Sequence, residues 1–450
     1  MNIEDIIKKT DHFVRTSATI KIISIGILIL LLLIPITMIS SLVRERKIRH
    51  DSVLLEIYQK WGNRQTITGP FFTVPYKSFY RDKNDKRRYT IKYFQILPEK
   101  LDYQGEISPH VRYRSIYEAV VYKCRLDISG AFSIPNLEQL NIKSKNILWE
   151  KSVFSLGITD MRGITENIQI VFDKEKYDVT PGLKTRDIAS AGVSSVISLT
   201  PTDRSKTFSF SLNLNGSEQI YFTPMAEETN VNIKSTWPSP SFCGAFLPIS
   251  REVNEKGFNA SWKVLHLNRN FPQYWQGNQY KVNKSCFGLK LLITADIYQK
   301  STRITKYALM FVIFTFSAFF FSEIINRNRV HPIQYLLIGL SVILFYVLLL
   351  SISEHLTFDV AYLLSAIAIS LLVTGYAKGI IKSNHFSITV FSLLTILYFY
   401  FYIVLQLEDY ALMMGSIGLF LVLSAVMFIT RKVDWYSLEN TQQRGHIPKK

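Results

Sequence analysis

Cysteine is scarce in this chain of 450 residues: Cys124, Cys243 and Cys286 are the only three. No CxxC pair, HExxH helix, GxxxxGK[ST] loop or GxSxG elbow occurs, so the spacings that hold a zinc ion, cradle a phosphate or expose a nucleophile are missing. Internal repeats and low-complexity linkers are missing too. Acidic residues are few, 35 against 52 Lys and Arg, giving a formal net charge of +17. The cations are spread along the chain and flank apolar runs, with no zinc-finger spacing and no basic-aromatic platform in view. Anionic lipid therefore accounts for the excess better than nucleic acid. No enzyme activity, cofactor or metal is expected.

Long apolar runs are abundant, and the chain is 48% hydrophobic with a mean hydropathy of +0.13, a mixture that fits a membrane part joined to one large aqueous part. Residues 333–352 carry no charge and, at about 1.5 Å per helical residue, span roughly the 30 Å of a hydrocarbon core. Five further stretches qualify: 22–42, 306–325, 358–376, 386–406 and 411–430. The first contains Pro35 and is followed by Arg44, Glu45, Arg46 and Lys47 rather than a cleavage site, as in an uncleaved signal anchor. Arg327, Arg329 and His331 join the second and third stretches, Lys378, Lys382 and His385 the fourth and fifth, and Arg431, Lys432 and Arg444 follow the sixth. Glu354 with Asp359, and Glu408 with Asp409, fill the alternate loops. Basic loops mark the cytoplasmic face. The expected fold is thus a membrane protein of α plus β class, with six transmembrane helices and a periplasmic domain over 43–305 between the first two. Residues 1–21 and the tail 431–450 are cytoplasmic in this reading.

Within 43–305 the pattern is that of strands. Phe208, Phe210, Leu212 and Leu214 alternate with polar residues and lead into Asn215-Gly216, a hairpin signal. Similar runs cover Tyr89–Leu97, Tyr117–Leu126, Val231–Trp237 and Leu289–Thr294. Many short strands predict an antiparallel sandwich. With the domain outside the cytoplasm, the three cysteines allow one disulfide and one free thiol; three thiols packed as small apolar groups are the other reading.

Ionisable groups next to apolar spans are functional candidates, here Glu323, Glu354 and His355. Glu323 sits near the cytoplasmic end of its span and Glu354 near the outer end of the next, about a bilayer apart. Structural pairing fits both: Glu323 with Arg327 one helical turn on, Glu354 with Arg303 or Lys306. His355 is a pH-sensor candidate, or a solvated ring. The run Trp237 to Pro248 holds Trp237, Pro238, Pro240, Phe242 and Gly244 and reads as a rigid loop, because proline cannot donate to a sheet ladder. It is either a recognition surface or a loop packed on its own domain. Asp160-Met161-Arg162-Gly163 reads as a turn tied by a local ion pair.

The strings LLIPITMI, TGPFFTVPY from Thr68, TDMRGI from Thr159, TWPSPSFCGAFLP from Thr236, TKYALM from Thr305, HPIQYLL from His331 and TRKVDWYS from Thr430 resemble the CreD family of bacterial inner-membrane proteins of cell envelope integrity. The resemblance runs over nearly the whole chain. It implies a multi-pass inner-membrane protein with a periplasmic domain, linked to envelope maintenance and stress response. It also draws in His331, Pro332, Gln334 and Tyr335 as candidates beside the WPxPSF residues. The family supplies no catalytic residues to carry over. The expected partners are the lipid bilayer and an envelope component or protein on the periplasmic side, with the domain binding or sensing and the helices anchoring. The other reading makes the C-terminal helices a small-solute or lipid transporter or flippase, with Ser341, Tyr346, Ser351 and Ser353 as hydroxyls along one helix and Gly375 and Gly379 at a close helix contact.

Overall fold

Alternation of apolar and polar residues builds one half of the molecule and unbroken apolar runs the other. In the computed structural model, residues 18–134, 142–200, 205–292, 297–326, 330–381, 384–407 and 411–431 are described. Arg327, Arg329, Lys382, Glu408, Asp409, Lys432 and Arg444 lie outside them, as do residues 1–17. The chain divides into two units, residues 50–294 and residues 1–49 with 295–450.

The first unit is β-rich. A nine-stranded sheet runs, in spatial order, Pro240–Gly244, Phe287–Leu291, Gln219–Thr223, Gln65–Arg81, Val153–Ile158, Gly192–Val196 and Thr180–Pro181, with Arg87–Ile96 also paired to Gln65–Arg81 and Tyr274–Gln276 paired in turn to Arg87–Ile96. An eight-stranded sheet runs Ser250–Asn254, Gly257–Leu265, Glu228–Ser235, Lys100–Arg114, Tyr117–Phe132, Lys206–Ser217, Gln169–Phe172 and Glu175–Asp178. One core joins the two sheets, with Phe72 of the first 4.8 Å from Phe132 of the second, edge to face. Phe208, Phe210, Leu212 and Leu214 point into it while Ser209 and Ser211 face out.

Two expectations are corrected here. The sheets are mostly but not wholly antiparallel, because Gln65–Arg81 runs parallel to Gln219–Thr223 and Glu228–Ser235 parallel to Lys100–Arg114. Asn215-Gly216 makes no hairpin turn: the strand Lys206–Ser217 runs through both residues, paired with Tyr117–Phe132, and the chain then passes to the other sheet through Glu218, φ 55°. Packing sets the glycine here, since a Cβ at Gly216 would run into the ring and hydroxyl of Tyr122, whose O–H donates to Gln219 O at 2.8 Å.

The other unit is helical. Helix α1 spans Ala18–Trp61, far beyond the stretch 22–42, because Arg44 to Arg49 are good helix formers and nothing stops the turn after Leu42. Residues 43–61, expected in the β-rich domain, are therefore helical, with 50–61 in the first unit, where Leu54, Ile57, Tyr58 and Trp61 pack on Ala119 and Val121. The helices α2 (Ile297–Thr305), α3 (Ala308–Asn326), α4 (Pro332–Ser353), α5 (Phe358–Ile381), α6 (Asn384–Gln406) and α7 (Ala411–Thr430) follow. Among the described residues four helices, α1, α4, α5 and α6, are long and apolar enough to cross a membrane, or five if α2 and α3, bent by 46°, form one span. In α1, Leu32, Ile36, Ile39 and Val43 form one buried stripe while Ile27, Leu30, Ile34 and Met38 are exposed, the pattern of a helix with one protein-facing and one lipid-facing side. A Cβ on Gly339 of α4 would run into Leu32 of α1 and Phe316 of α3, so the missing side chain sets this crossing. The close contact read for Gly375 and Gly379 is not there, since a Cβ added at either meets nothing within 4 Å.

Candidate functional site

Helix α4 begins with a reciprocal cap. His331, extended at φ −75° and ψ 145°, accepts the N–H of Ile333 on Nδ1 at 3.3 Å, while Gln334 Oε1 accepts the N–H of His331 at 2.9 Å. Pro332 occupies the first helical position, where its missing N–H leaves nothing unpaired. Tyr335 follows, 1% exposed, and its O–H donates to Glu323 Oε2 at 3.2 Å. The other carboxylate oxygen accepts the Val330 N–H at 3.1 Å and meets the Lys21 ammonium. The structure thus gathers Glu323, His331, Pro332, Gln334 and Tyr335 at one end of α4. The partner expected for Glu323, Arg327, lies outside the described residues; Lys21, 302 residues away in sequence, is a partner that spacing could not reveal.

At the other end of α4, Glu354 Oε1 accepts from the Tyr298 hydroxyl at 3.3 Å and Oε2 lies 3.8 Å from Arg46. These partners replace the Arg303 and Lys306 expected from sequence, because α2 turns Tyr298 toward α4 and α1 continues far enough to bring Arg46 level. His355 is exposed. Nearby, Asp359 Oδ1 accepts from Tyr402 at 3.1 Å and Gln406 at 2.9 Å, tying the start of α5 to the end of α6. The 22 residues of α4 separate the Glu323 and Glu354 clusters by about 33 Å at the helical rise. The two carboxylates therefore cannot exchange a proton with each other.

In the β-rich unit, the segment read as a rigid loop contains an edge strand instead. Pro240–Gly244 pairs antiparallel with Phe287–Leu291 and closes one end of the nine-stranded sheet. An edge strand tolerates Pro240 because only one side of it must bond. Trp237 Nε1 donates to Leu292 O at 3.1 Å, and Phe242 packs edge to face on Phe258 and Trp262 at 5.8 and 5.7 Å. Pro238 and Gly244 are exposed. The chain then runs past Leu247 and Ile249, 67% and 69% exposed, into Ser250–Asn254, the edge of the eight-stranded sheet. One stretch therefore borders both sheets. All three thiols are free; Cys124 is buried and Cys243 and Cys286 are half-buried.

The turn at Asp160 is more than a local pair. Arg162 forks onto the carboxylate with two bonds of 2.9 Å, and the same group accepts the Asn63 N–H at 3.0 Å and its side-chain amide at 2.9 Å. Gln65 bonds the backbone of Asp160 in both directions, at 3.0 and 3.1 Å. Burial pushes this carboxyl up, but the Arg162 guanidinium and the backbone N–H groups of Asn63 and Arg162, the latter at 3.2 Å, outweigh it and bring it down to about 2. The knot joins the end of α1 to the strand starting at Gln65, and only the Asp160–Arg162 part was visible in sequence.

The family model for the inner membrane protein CreD matches residues 17–436. The chain belongs to the CreD family. The inner membrane protein CreD of Escherichia coli (strain K12) is 32% identical over 418 residues, covering 91% of this chain and 92% of that one. Among solved structures, yeast LTA4 hydrolase aligns with 45% of this chain and 30% of its own at 12% identity, with a TM-score of 0.19, too low to carry any argument. Three strings that mark the chain as CreD-like now have physical roles: HPIQYLL builds the cap and the Glu323 cluster, TDMRGI the Asp160 knot, and WPSPSF the sheet edge.

Proposed function

We propose that this CreD-family chain is a six-span inner-membrane protein with cytoplasmic termini and a periplasmic β-rich domain that binds or senses an envelope component in envelope maintenance or stress response, without catalysing a reaction. The distribution of cations among the short loops supports the topology. The observation that carries the binding reading is the stretch Pro240–Asn254: it borders both sheets with free strand edges and exposes Leu247 and Ile249. Extended segments add to such edges through main-chain hydrogen bonds, with side-chain pockets giving specificity. The paired double variant Leu247→Asp/Ile249→Asp is expected to fold as wild type, since both side chains are exposed, yet to lose protection of cells against envelope stress. Full protection by the variant would remove this edge from the function.

The transporter reading draws on a groove of about 780 Å³ between α1 and α4, lined by the apolar Pro35, Met38, Leu42, Leu340 and Leu344 together with Glu45, a mixed lining that suits an amphiphile. Against it stands the use of Glu323 and Glu354 in separate ties at opposite ends of α4, where a coupled carrier would gather them.

A further inference from the structure

The strands Gln65–Arg81 and Arg87–Ile96 extend beyond the core as a two-stranded arm, with every residue from 83 to 92 exposed. Residues 77–92 hold seven Lys or Arg against two Asp, a net charge of +5. Both acidic residues are used in shaping the tip. The Asp82 carboxylate accepts the N–H groups of Asn84 and Lys86 at 2.9 and 3.0 Å and the Arg88 guanidinium at 2.6 Å, and Asp85 takes both oxygens onto Arg81 at 2.7 and 2.8 Å. Lys83, Lys86 and Lys92 have no acidic partner among the described residues.

On one face of the arm Phe79 stands opposite Tyr89, flanked by the pairs Lys77–Ile91 and Arg81–Arg87, since alternate pairs of a ladder share a face. The sequence showed no basic-aromatic platform because these residues meet only through the strand register. The two rings lie 5.8 Å apart; Arg87 covers Phe79 at 4.3 Å and Lys77 covers Tyr89 at 5.2 Å. A nucleic-acid base would have to displace these cations to stack, which argues against a nucleic acid. Rings alongside cations, on a tip stiffened by its own carboxylates, suit the boundary of an anionic bilayer, where the rings enter the headgroup layer and the cations meet phosphate.

We propose that the arm 77–92 docks on anionic phospholipid bilayer through the paired rings of Phe79 and Tyr89 and the cations around them. The reading holds whichever side of the membrane the domain occupies. The full chain in phosphatidylcholine nanodiscs offers the test, by capture of added vesicles made of phosphatidylcholine alone or with phosphatidylglycerol. Wild type is expected to capture the anionic vesicles at least about a hundredfold better, and high salt to release them. At roughly fivefold per cation near such a surface, Lys83→Gln/Lys86→Gln/Arg87→Gln is expected to weaken capture on the order of a hundredfold. Phe79→Ser/Tyr89→Ser, with the charge kept, weakens capture while leaving its salt dependence in place. Equal capture of both vesicle types, wild-type capture by the triple variant with an unchanged melting profile, or binding of an oligonucleotide in preference to the anionic vesicles would overturn the proposal.

Discussion

Replacing Phe154 with alanine is expected to destabilise the β-rich unit by about 3–5 kcal/mol, the range for emptying a buried aromatic site. Phe154 is fully buried on the strand Val153–Ile158 of the nine-stranded sheet. Its ring meets Phe132, Phe208 and Phe210 of the other sheet at 5.9, 5.7 and 6.1 Å, and Phe72 of its own sheet at 5.5 Å. These contacts hold the two sheets together, so the hole opens where the layers meet and neighbouring rings, already edge to face, have little room to close it. Denaturant unfolding of the full chain, followed through buried Trp149, Trp262 and Trp275, measures the loss. Phe79→Ala on the exposed arm is the control and should stay within about 0.5 kcal/mol of wild type. A Phe154→Ala loss no larger than the control's would mean that the shared core does not hold the sheets together.

Lys21→Met is the second large effect. It leaves the Glu323 carboxylate, with its side chain 9% exposed, without that ammonium, and breaking a buried pair from one side costs about 3–5 kcal/mol. Adding Glu323→Gln should recover most of this loss. The neutral amide oxygen still accepts the Val330 N–H and, with the amide group turned suitably, stays within reach of the Tyr335 hydroxyl, while the buried charge is gone. Thermal unfolding of the four proteins of this cycle in detergent gives the coupling. A structural tie predicts that Lys21→Met/Glu323→Gln is more stable than Lys21→Met alone and keeps the protective function. A carboxylate that carries protons predicts that Glu323→Gln abolishes function in either background, and that result would favour the transporter.

What the sequence made legible was whatever depends on neighbours along the chain. The apolar runs mark the helices from α3 to α7, and alternation at Phe208 to Leu214 marks a strand with its buried face. The Asp160–Arg162 pair, two residues apart, was visible for the same reason. Contacts set by the fold were not. Lys21 meets Glu323, Asn63 meets Asp160, and Arg46 meets Glu354 only once strands and helices are placed, and no local spacing encodes them. Local signals also misled where packing overrode them. The Asn215-Gly216 signal gave way to the space Tyr122 needs, the prolines near Trp237 were compatible with an edge strand, and the charges after Leu42 did not end α1. The candidates at Glu323 and HPIQY were found one by one, but the bond from Tyr335 to the Glu323 carboxylate was not foreseen.

Sidedness underlies the whole functional account, and a reporter enzyme active only outside the cytoplasm tests it most directly. The reporter is placed in the exposed turn at residues 83–85 in one fusion and after Lys450 in another. The account predicts activity from the turn fusion and none from the terminal one. Activity from the terminal fusion with silence from the turn would put the β-rich domain in the cytoplasm and contradict it.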